Sequence, residues 1–240
     1  ARRCLDEAGV EASAVDAVVA VSTSGIATPS LEARLMQRLD LRPDVLRLPV
    51  FGLGCAGGVL GLARAADLVR ADPRRRVLFL VVELCGLTFR AGDRSKGNVI
   101  ATALFGDGCA AALLAGEGDG PALTGWGEYT WPDTLDIMGW RIEEDGLGVL
   151  FSRDIPAFVR REMRAAADRF LSSHGLDMTA IDGFVCHPGG AKVLDALEEL
   201  YELPPGELTT AREVLRQNGN MSAATAMFVL AETMKDGTPG

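Results

Sequence analysis

Two uninterrupted apolar runs constrain this chain most: "DAVVAVS" (16–22) and "VLFLVVEL" (77–84). Neither alternates apolar with polar residues, so neither reads as a strand with one wet face. Such Val-rich runs are strands buried on both faces. A sheet buried on both faces needs helices as cover. Helical segments stand in the right places. "LEARLMQRLD" follows Ser30, a candidate N-cap, and a helix from about Cys55 to Ala71 ends at Asp72-Pro73. "VLRLPVFG" and "CAAALLAG" read as further strands, and "VIATALFGDG" as a short helix running into a tight turn. The fold class expected is α/β with a largely buried sheet.

"GEGDGPA" (116–122) is the best candidate boundary, dividing the chain into 1–117 and 118–240. Beyond it come short strands and turns up to Phe151. A long amphipathic helix follows, "DIPAFVRREMRAAADRFLSSHG", with Pro156 tolerated in its first turn. "IDGFVCHPGG" reads as a strand ending in a turn and "AKVLDALEEL" as a helix. Two more helical patterns are broken at "QNGN". The order strand, turn, helix occurs at Cys55 and again at His187, which points to two similar halves. The first residues, "ARRCLDEAGV", read as a helix end stopped by Gly9, and "MKDGTPG" as a helix entering a Gly/Pro turn. Both ends therefore read as cut from a longer protein.

With 33 acidic and 24 basic residues the net charge is −9, the opposite of what phosphate-backbone binding requires. Nucleic acid is not an expected partner. No apolar run reaches the roughly 18 residues of a membrane span. Cys4, Cys55, Cys85, Cys109 and Cys186 are widely spaced with no CxxC pair, so neither a disulfide framework nor a metal site is expected. A reducing cytoplasm suits such cysteines.

Cys55 lies in "FGLGCAGGVLGLARAADLVR", where a mostly apolar helix begins. The free N–H groups of that helix point at the cysteine, a setting that lowers a thiol pKa and favours thiolate. Gly54, Gly57 and Gly58 leave room for close backbone approach. The bland reading is a buried cysteine at a tight turn. A nucleophilic thiolate needs a partner, and the chain has two histidines. His174, in "SSHGLD", reads as a solvated connection. His187 ends an apolar strand and precedes "PGG", placing an imidazole at a strand end, where clefts form. Of three asparagines, Asn98 sits in a charged loop, while Asn218 and Asn220 flank a glycine before an apolar helix. One is a turn or cap residue; the other could aim its amide at a developing oxyanion. Spacing leaves open which.

Taken together, "GLGCAGGVLGLARAADLVR", "TFR" (88–90), "LFGDGCAAALLAG", "HPGGAKVLDALEE" and "REVLRQNGNMSAAT" resemble the type III polyketide synthases, the chalcone and stilbene synthase-like enzymes of the thiolase superfamily. "PDTLDIMGWRIEEDGLGVLFSRDIP" is most similar to the bacterial alkylresorcinol and alkylpyrone synthases. The resemblance implies a layered α-β-α-β-α thiolase-like fold of two halves, here incomplete. It further implies a homodimer using acyl-CoA and malonyl-CoA, with no cofactor and no metal. By motif position the catalytic residues are Cys55, His187 and Asn220, with Phe105 as gatekeeper. Thr23, Glu83 and Ser222 match a hydrogen-bonding set that steers ring closure in some members. Cys85, Gly139 and Val149 match cavity-shaping positions, and Thr28 a position at the dimer interface. Their small or medium size favours a fatty acyl starter.

Two other readings stand beside this one. A β-ketoacyl-carrier-protein synthase III-like enzyme shares the Cys-His-Asn logic, but typically follows its histidine with Gln-Ala-Asn where this chain has "HPGG". A truncated dimerisation module without catalysis is the other.

Overall fold

The computed structural model describes residues 1–235. In chain order they form α1 (Arg2–Glu7), β1 (Ala17–Val21), α2 (Leu31–Leu39), β2 (Leu46–Val50), α3 (Gly57–Ala71), β3 (Val77–Leu84), α4 (Lys96–Leu104) and β4 (Asp107–Leu114). Then follow β5 (Met138–Glu143), β6 (Gly146–Phe151), α5 (Ile155–Ser173), α6 (Ala191–Tyr201), α7 (Thr209–Asn218) and α8 (Ala224–Lys235). The Gly/Pro turn expected after the last helix lies outside the described residues.

The first half holds a four-stranded sheet in the order β2-β1-β3-β4, with β1 parallel to β2 and β3, and β4 antiparallel to β3. The two apolar runs are its central strands, and the pleat divides their side chains. Val19, Val21, Phe79 and Val81 face a core shared with α3 and the later helices. Val18, Ala20, Leu78 and Leu80 face a second core with Leu5, Leu41 and Val45. Burial on both faces is why these runs do not alternate.

The second half differs from the sequence expectation. The "GFVC" segment is not a strand, since among the described residues no β-strand pairs with 181–187. A strand exists through a neighbour's hydrogen bonds. Without one the segment only keeps its in-and-out pattern, with Phe184 and Cys186 turned inward and Val185 exposed. The short strands before Phe151 are a single hairpin, β5-β6. The helix expected from Cys55 starts at Gly57, because residues 54–56 form one tighter turn. Ser30 precedes α2, but its hydroxyl bonds Glu32 rather than a backbone amide.

Close approach joins the halves. Glycines on α3 bring its backbone against β1, β3 and the turn before α8. A Cβ on Gly61 would lie 2.5 Å from Val21, and one on Gly58 would lie 2.1 Å from the carbonyl oxygen of Ala223. Gly58→Ala should therefore lower stability by about 1–3 kcal/mol, read as a lower urea midpoint at unchanged slope. Gly139→Ala, which meets nothing within 4 Å, is the control expected to leave the midpoint in place.

Candidate active site

The site forms where three turns meet. The first is the tight turn carrying Cys55 at the foot of α3. The second is Gly219–Ala223, between α7 and α8. Asn220 lies there, fully buried, and makes a parallel backbone bridge to Phe105: its N–H donates to Leu104 O at 2.8 Å, and Gly106 N–H donates to its carbonyl at 3.0 Å. Gly219 has φ +71°, and a Cβ there would strike Leu104 O at 2.7 Å. Only glycine allows the bridge to close. The third turn is His187–Gly190. Its Gly189 carbonyl accepts from Asn220 Nδ2 at 3.3 Å.

Cys55 Sγ donates to Ser222 Oγ at 3.8 Å. Asn220 Oδ1 accepts Ser222 N–H at 2.9 Å and also faces the Thr225 hydroxyl. These bonds fix the orientation of the amide, oxygen toward the α8 turn and nitrogen toward the His187 turn and Cys55. Ser222 adopts φ +48°, a left-handed conformation uncommon outside glycine, which holds its hydroxyl against the thiol. Asn218 instead donates to Val214 O at 3.1 Å and finishes α7. Its role is structural. His174 caps the end of α5 in an exposed position.

Burial dominates the electrostatics. It pushes the Cys55 thiol up to about 11, against hydrogen bonds from Ser222 and Asn220 that pull it down. It pushes His187 down to about 4, and both ring nitrogens are buried without a partner. The low thiol pKa expected from the helix terminus is therefore overturned: desolvation outweighs that influence, and each group taken alone is neutral at pH 7.

Beside this centre, Glu83 is fully buried on β3. Its Oε2 accepts Thr23 N–H at 3.0 Å, Ser24 N–H at 3.0 Å and Ser24 Oγ–H at 2.6 Å. Its Oε1 and the Thr23 hydroxyl are buried and unpaired. Thr23 and Glu83 thus share one cluster. A separate cavity of about 360 Å³ is lined by Cys85, Phe105 and Val149 with Thr88, Asn98 and Thr102. Burial also holds the Cys85 thiol high, at about 12. Gly139 is not in that lining. It is half-buried on β5 with open space over it. Thr28 is exposed in the loop after β1.

Sequence reading missed three residues. Ser24 bonds Glu83 and also accepts Leu84 N–H at 2.7 Å. Trp140 donates to Thr23 O at 3.0 Å and packs edge-on to Phe105, with centroids 6.3 Å apart. Asn98 lies in the first turn of α4, capped by Ser95, rather than in a loop. A Ser-to-Glu contact across 59 positions leaves no local signal; an indole in an otherwise ordinary hairpin leaves a faint one.

A cysteine at the foot of a buried helix, bonded to an asparagine turn of the other half that itself bonds a histidine turn, is the arrangement of the thiolase-like class. Residues 1–118 match the N-terminal domain of the chalcone and stilbene synthases, and residues 128–238 match their C-terminal domain. The chain belongs to that family, the type III polyketide synthases. It is 42% identical over 234 residues to 1,3,6,8-tetrahydroxynaphthalene synthase of Streptomyces peucetius subsp. caesius, covering 95% of this chain and 62% of that one. The crystal structure of the same-named synthase from Streptomyces coelicolor A3(2) superposes with a TM-score of 0.94 at 30% identity, over 99% of this chain and 68% of that one. Germicidin synthase, a type III polyketide synthase of Streptomyces coelicolor, gives 0.88 at 30% identity, over 99% and 64%. The chain spans 62–64% of the length of the curated relatives it matches.

Glu83→Ala removes the acceptor of three buried donors and should cost about 3 kcal/mol or more. Glu83→Gln keeps one oxygen for them and should cost clearly less. Urea denaturation of the two variants measures the difference.

Proposed function

We propose that this chain carries the catalytic centre of an acyltransferase, a type III polyketide synthase that condenses malonyl-CoA onto an acyl-CoA starter. The observation that carries the reading is the meeting of Cys55, Ser222 and Asn220 beneath α3, with the unpaired imidazole of His187 on the adjoining turn. Residues 1–117 supply the nucleophile, and 118–240 supply the histidine and asparagine.

Neither thiol nor imidazole ionises readily alone, so the two ionise together. The Cys55 proton passes to His187, and the imidazolium compensates the thiolate. The thiolate attacks the starter's thioester carbonyl. The bond from that carbonyl to the CoA sulfur breaks, and CoA leaves as the thiol with the proton from His187. Malonyl-CoA then loses CO₂, and the electron pair of the broken C–C bond enters its thioester as an enolate. Asn220 Nδ2, oriented by the bonds to Oδ1, donates to the enolate oxygen together with His187. The enolate carbon attacks the acyl–Cys55 thioester and releases the Cys55 thiolate. The product, a 3-ketoacyl-CoA two carbons longer, reloads Cys55 for the next round. CoA thioesters are the only co-substrates this chemistry needs.

Phe105 stands between the Asn220 bridge and the cavity, a gatekeeping place. The cavity's lining, mostly Cys, Gly, Thr, Ala and Val beside Phe89, Phe105 and Asn98, favours a fatty acyl starter. Gly139, with open space over it, would add to the chamber. Thr23, Glu83 and Ser222 steer ring closure. The exposed loop with Thr28, where Ile26 is 67% exposed, is the face of a homodimer. No described helix is long and apolar enough to cross a membrane, and the free cysteines suit a reducing compartment such as the cytoplasm.

Acyl-CoA starters of graded length, incubated with labelled malonyl-CoA and the full-length protein, should give condensation products by mass spectrometry. Condensation only with carrier-protein thioesters would replace this reading with the synthase III-like one. Cys55→Ala should abolish acyl loading. In His187→Gln the thiol stands alone near its buried value of about 11. Alkylation by iodoacetamide should then climb about tenfold per pH unit from 7 to 9 and fall at least 100-fold below wild type at pH 7. Equal rates in the two proteins at pH 7 would remove His187 from the mechanism.

A further inference from the structure

The cavity has two walls from distant parts of the chain. One is the tight turn after β3, with Cys85, Thr88 and Phe89; the other is β6, with Val149. Arg90 follows the first wall directly. Its guanidinium reaches the turn of the β5-β6 hairpin, pairing with Glu143 at 2.7 Å and making a two-pronged contact with Asp145, Nε to Oδ2 at 3.0 Å and Nη2 to Oδ1. Asp93 lies 3.6 Å from the same group. The Arg90 side chain is only 14% exposed, although it joins two surface turns.

The surroundings are shaped to that guanidinium. A Cβ on Gly148 would lie 3.0 Å from Arg90 Nη1 and 2.7 Å from Glu143 Oε1, so glycine lets the pair lie flat on β6. Buried Asn98 donates from Nδ2 to Arg90 O at 3.0 Å and to Asp93 O at 2.8 Å, fixing the loop that aims the arginine. Further along the hairpin, Trp140 bonds Thr23 O and packs on Phe105. The hairpin is thus fastened at its inner side by an indole and at its turn by an arginine.

We propose that Arg90 is a positioning residue for specificity: by latching the hairpin turn to the Cys85–Phe89 wall, it sets the width of the chamber and hence which chain lengths are made. This rests on the cavity being the chamber of the condensation proposed above. Three carboxylates on one cation favour a latch that holds a wall in place, and the two-pronged geometry makes lysine an incomplete substitute.

The test uses the full-length protein with Arg90→Gln. Amide hydrogen exchange over 138–151 should rise at least tenfold while β1 and β3 are unchanged; unaltered exchange in the hairpin overturns the latch. With acyl-CoA starters of graded length, loading of Cys55 by the shortest should stay within twofold of wild type, while the ratio of long to short products shifts at least threefold. Wild-type ratios in an actively condensing variant overturn the specificity role. Arg90→Glu should show the stronger form of both changes, and adding Glu143→Arg should recover at least half of the lost hairpin protection; no recovery counts against the pairing. Asp145→Asn, at an exposed turn, gives the milder effect in the same direction should Arg90→Gln fold poorly, and wild-type exchange there overturns the latch. If the wild type condenses nothing, the proposed function fails, and hydrogen exchange still decides the latch.

Discussion

The backbone bridge between Leu104–Gly106 and Asn220 holds the two halves of this molecule in register. It is two hydrogen bonds between chain segments more than a hundred residues apart. Neither segment has a regular sheet partner at that point, so each would be left with buried, unpaired polar groups without the other. Glycines make the approach possible. Gly106 and Gly108 pack against Asn218 O and Met221, and Gly219 packs against Leu104 O, all at distances no Cβ would permit. Asn220 takes its place from the bridge, and Phe105 is its bridge partner. The places of Phe105 and of the Asn220 amide are therefore set by a single contact. A shift of one residue in either segment would turn the Asn220 side chain out of the site.

Much of this was legible in the sequence for one reason: elements whose burial is decided locally leave a periodic trace. The two central strands, buried by helices on both faces, announce themselves as unbroken apolar runs. β3 begins and ends where the run does. Cys55, His187 and the pair Asn218 and Asn220 stood out because each lies beside glycine where an element was expected to end or begin, and the family resemblance, not the spacing, selected Asn220. Two properties were not local. Whether 181–187 forms a strand depends on a partner, which the segment itself does not encode. The ionisation of Cys55 depends on how completely other elements cover it, and burial overturned what the helix terminus alone implied. Arg90, Trp140 and Ser24 fall in the same class. Each makes its defining contact across 55 or more positions, so its neighbours in sequence do not reveal that contact.

Charge is distributed in a way that follows from these contacts. Burial shifts Cys55 and His187 alike toward their neutral forms, and the Glu83 carboxyl lies close enough to Cys55 to raise the thiol further. Glu83 is tolerated there because two backbone amides and a hydroxyl point at one oxygen. That arrangement fixes the carboxyl group in one orientation. In the proposed mechanism the cation that accompanies Cys55 ionisation is His187, a buried imidazole whose two nitrogens have no hydrogen-bond partner among the described residues.

The outer latch obeys the opposite logic. Arg90 and its carboxylates lie where water reaches Asp145 freely, with its side chain 63% exposed, so each pair contributes little to stability by itself. Their effect is on geometry: a planar guanidinium held by three carboxylates, Asp93 beside it and Glu143 and Asp145 on the hairpin, permits few arrangements of the two walls. The proposed condensation requires a centre that keeps water from the enolate and a chamber beside it that keeps its shape as the chain grows. A buried, rigid bridge serves the first need. A set of individually weak ion pairs around one arginine serves the second, because the loss of any one pair leaves the others holding the same planar group. The hairpin is accordingly the part of this fold where a substitution changes the width without disturbing the Cys55 turn, which packs elsewhere, against Ala223 through Gly58.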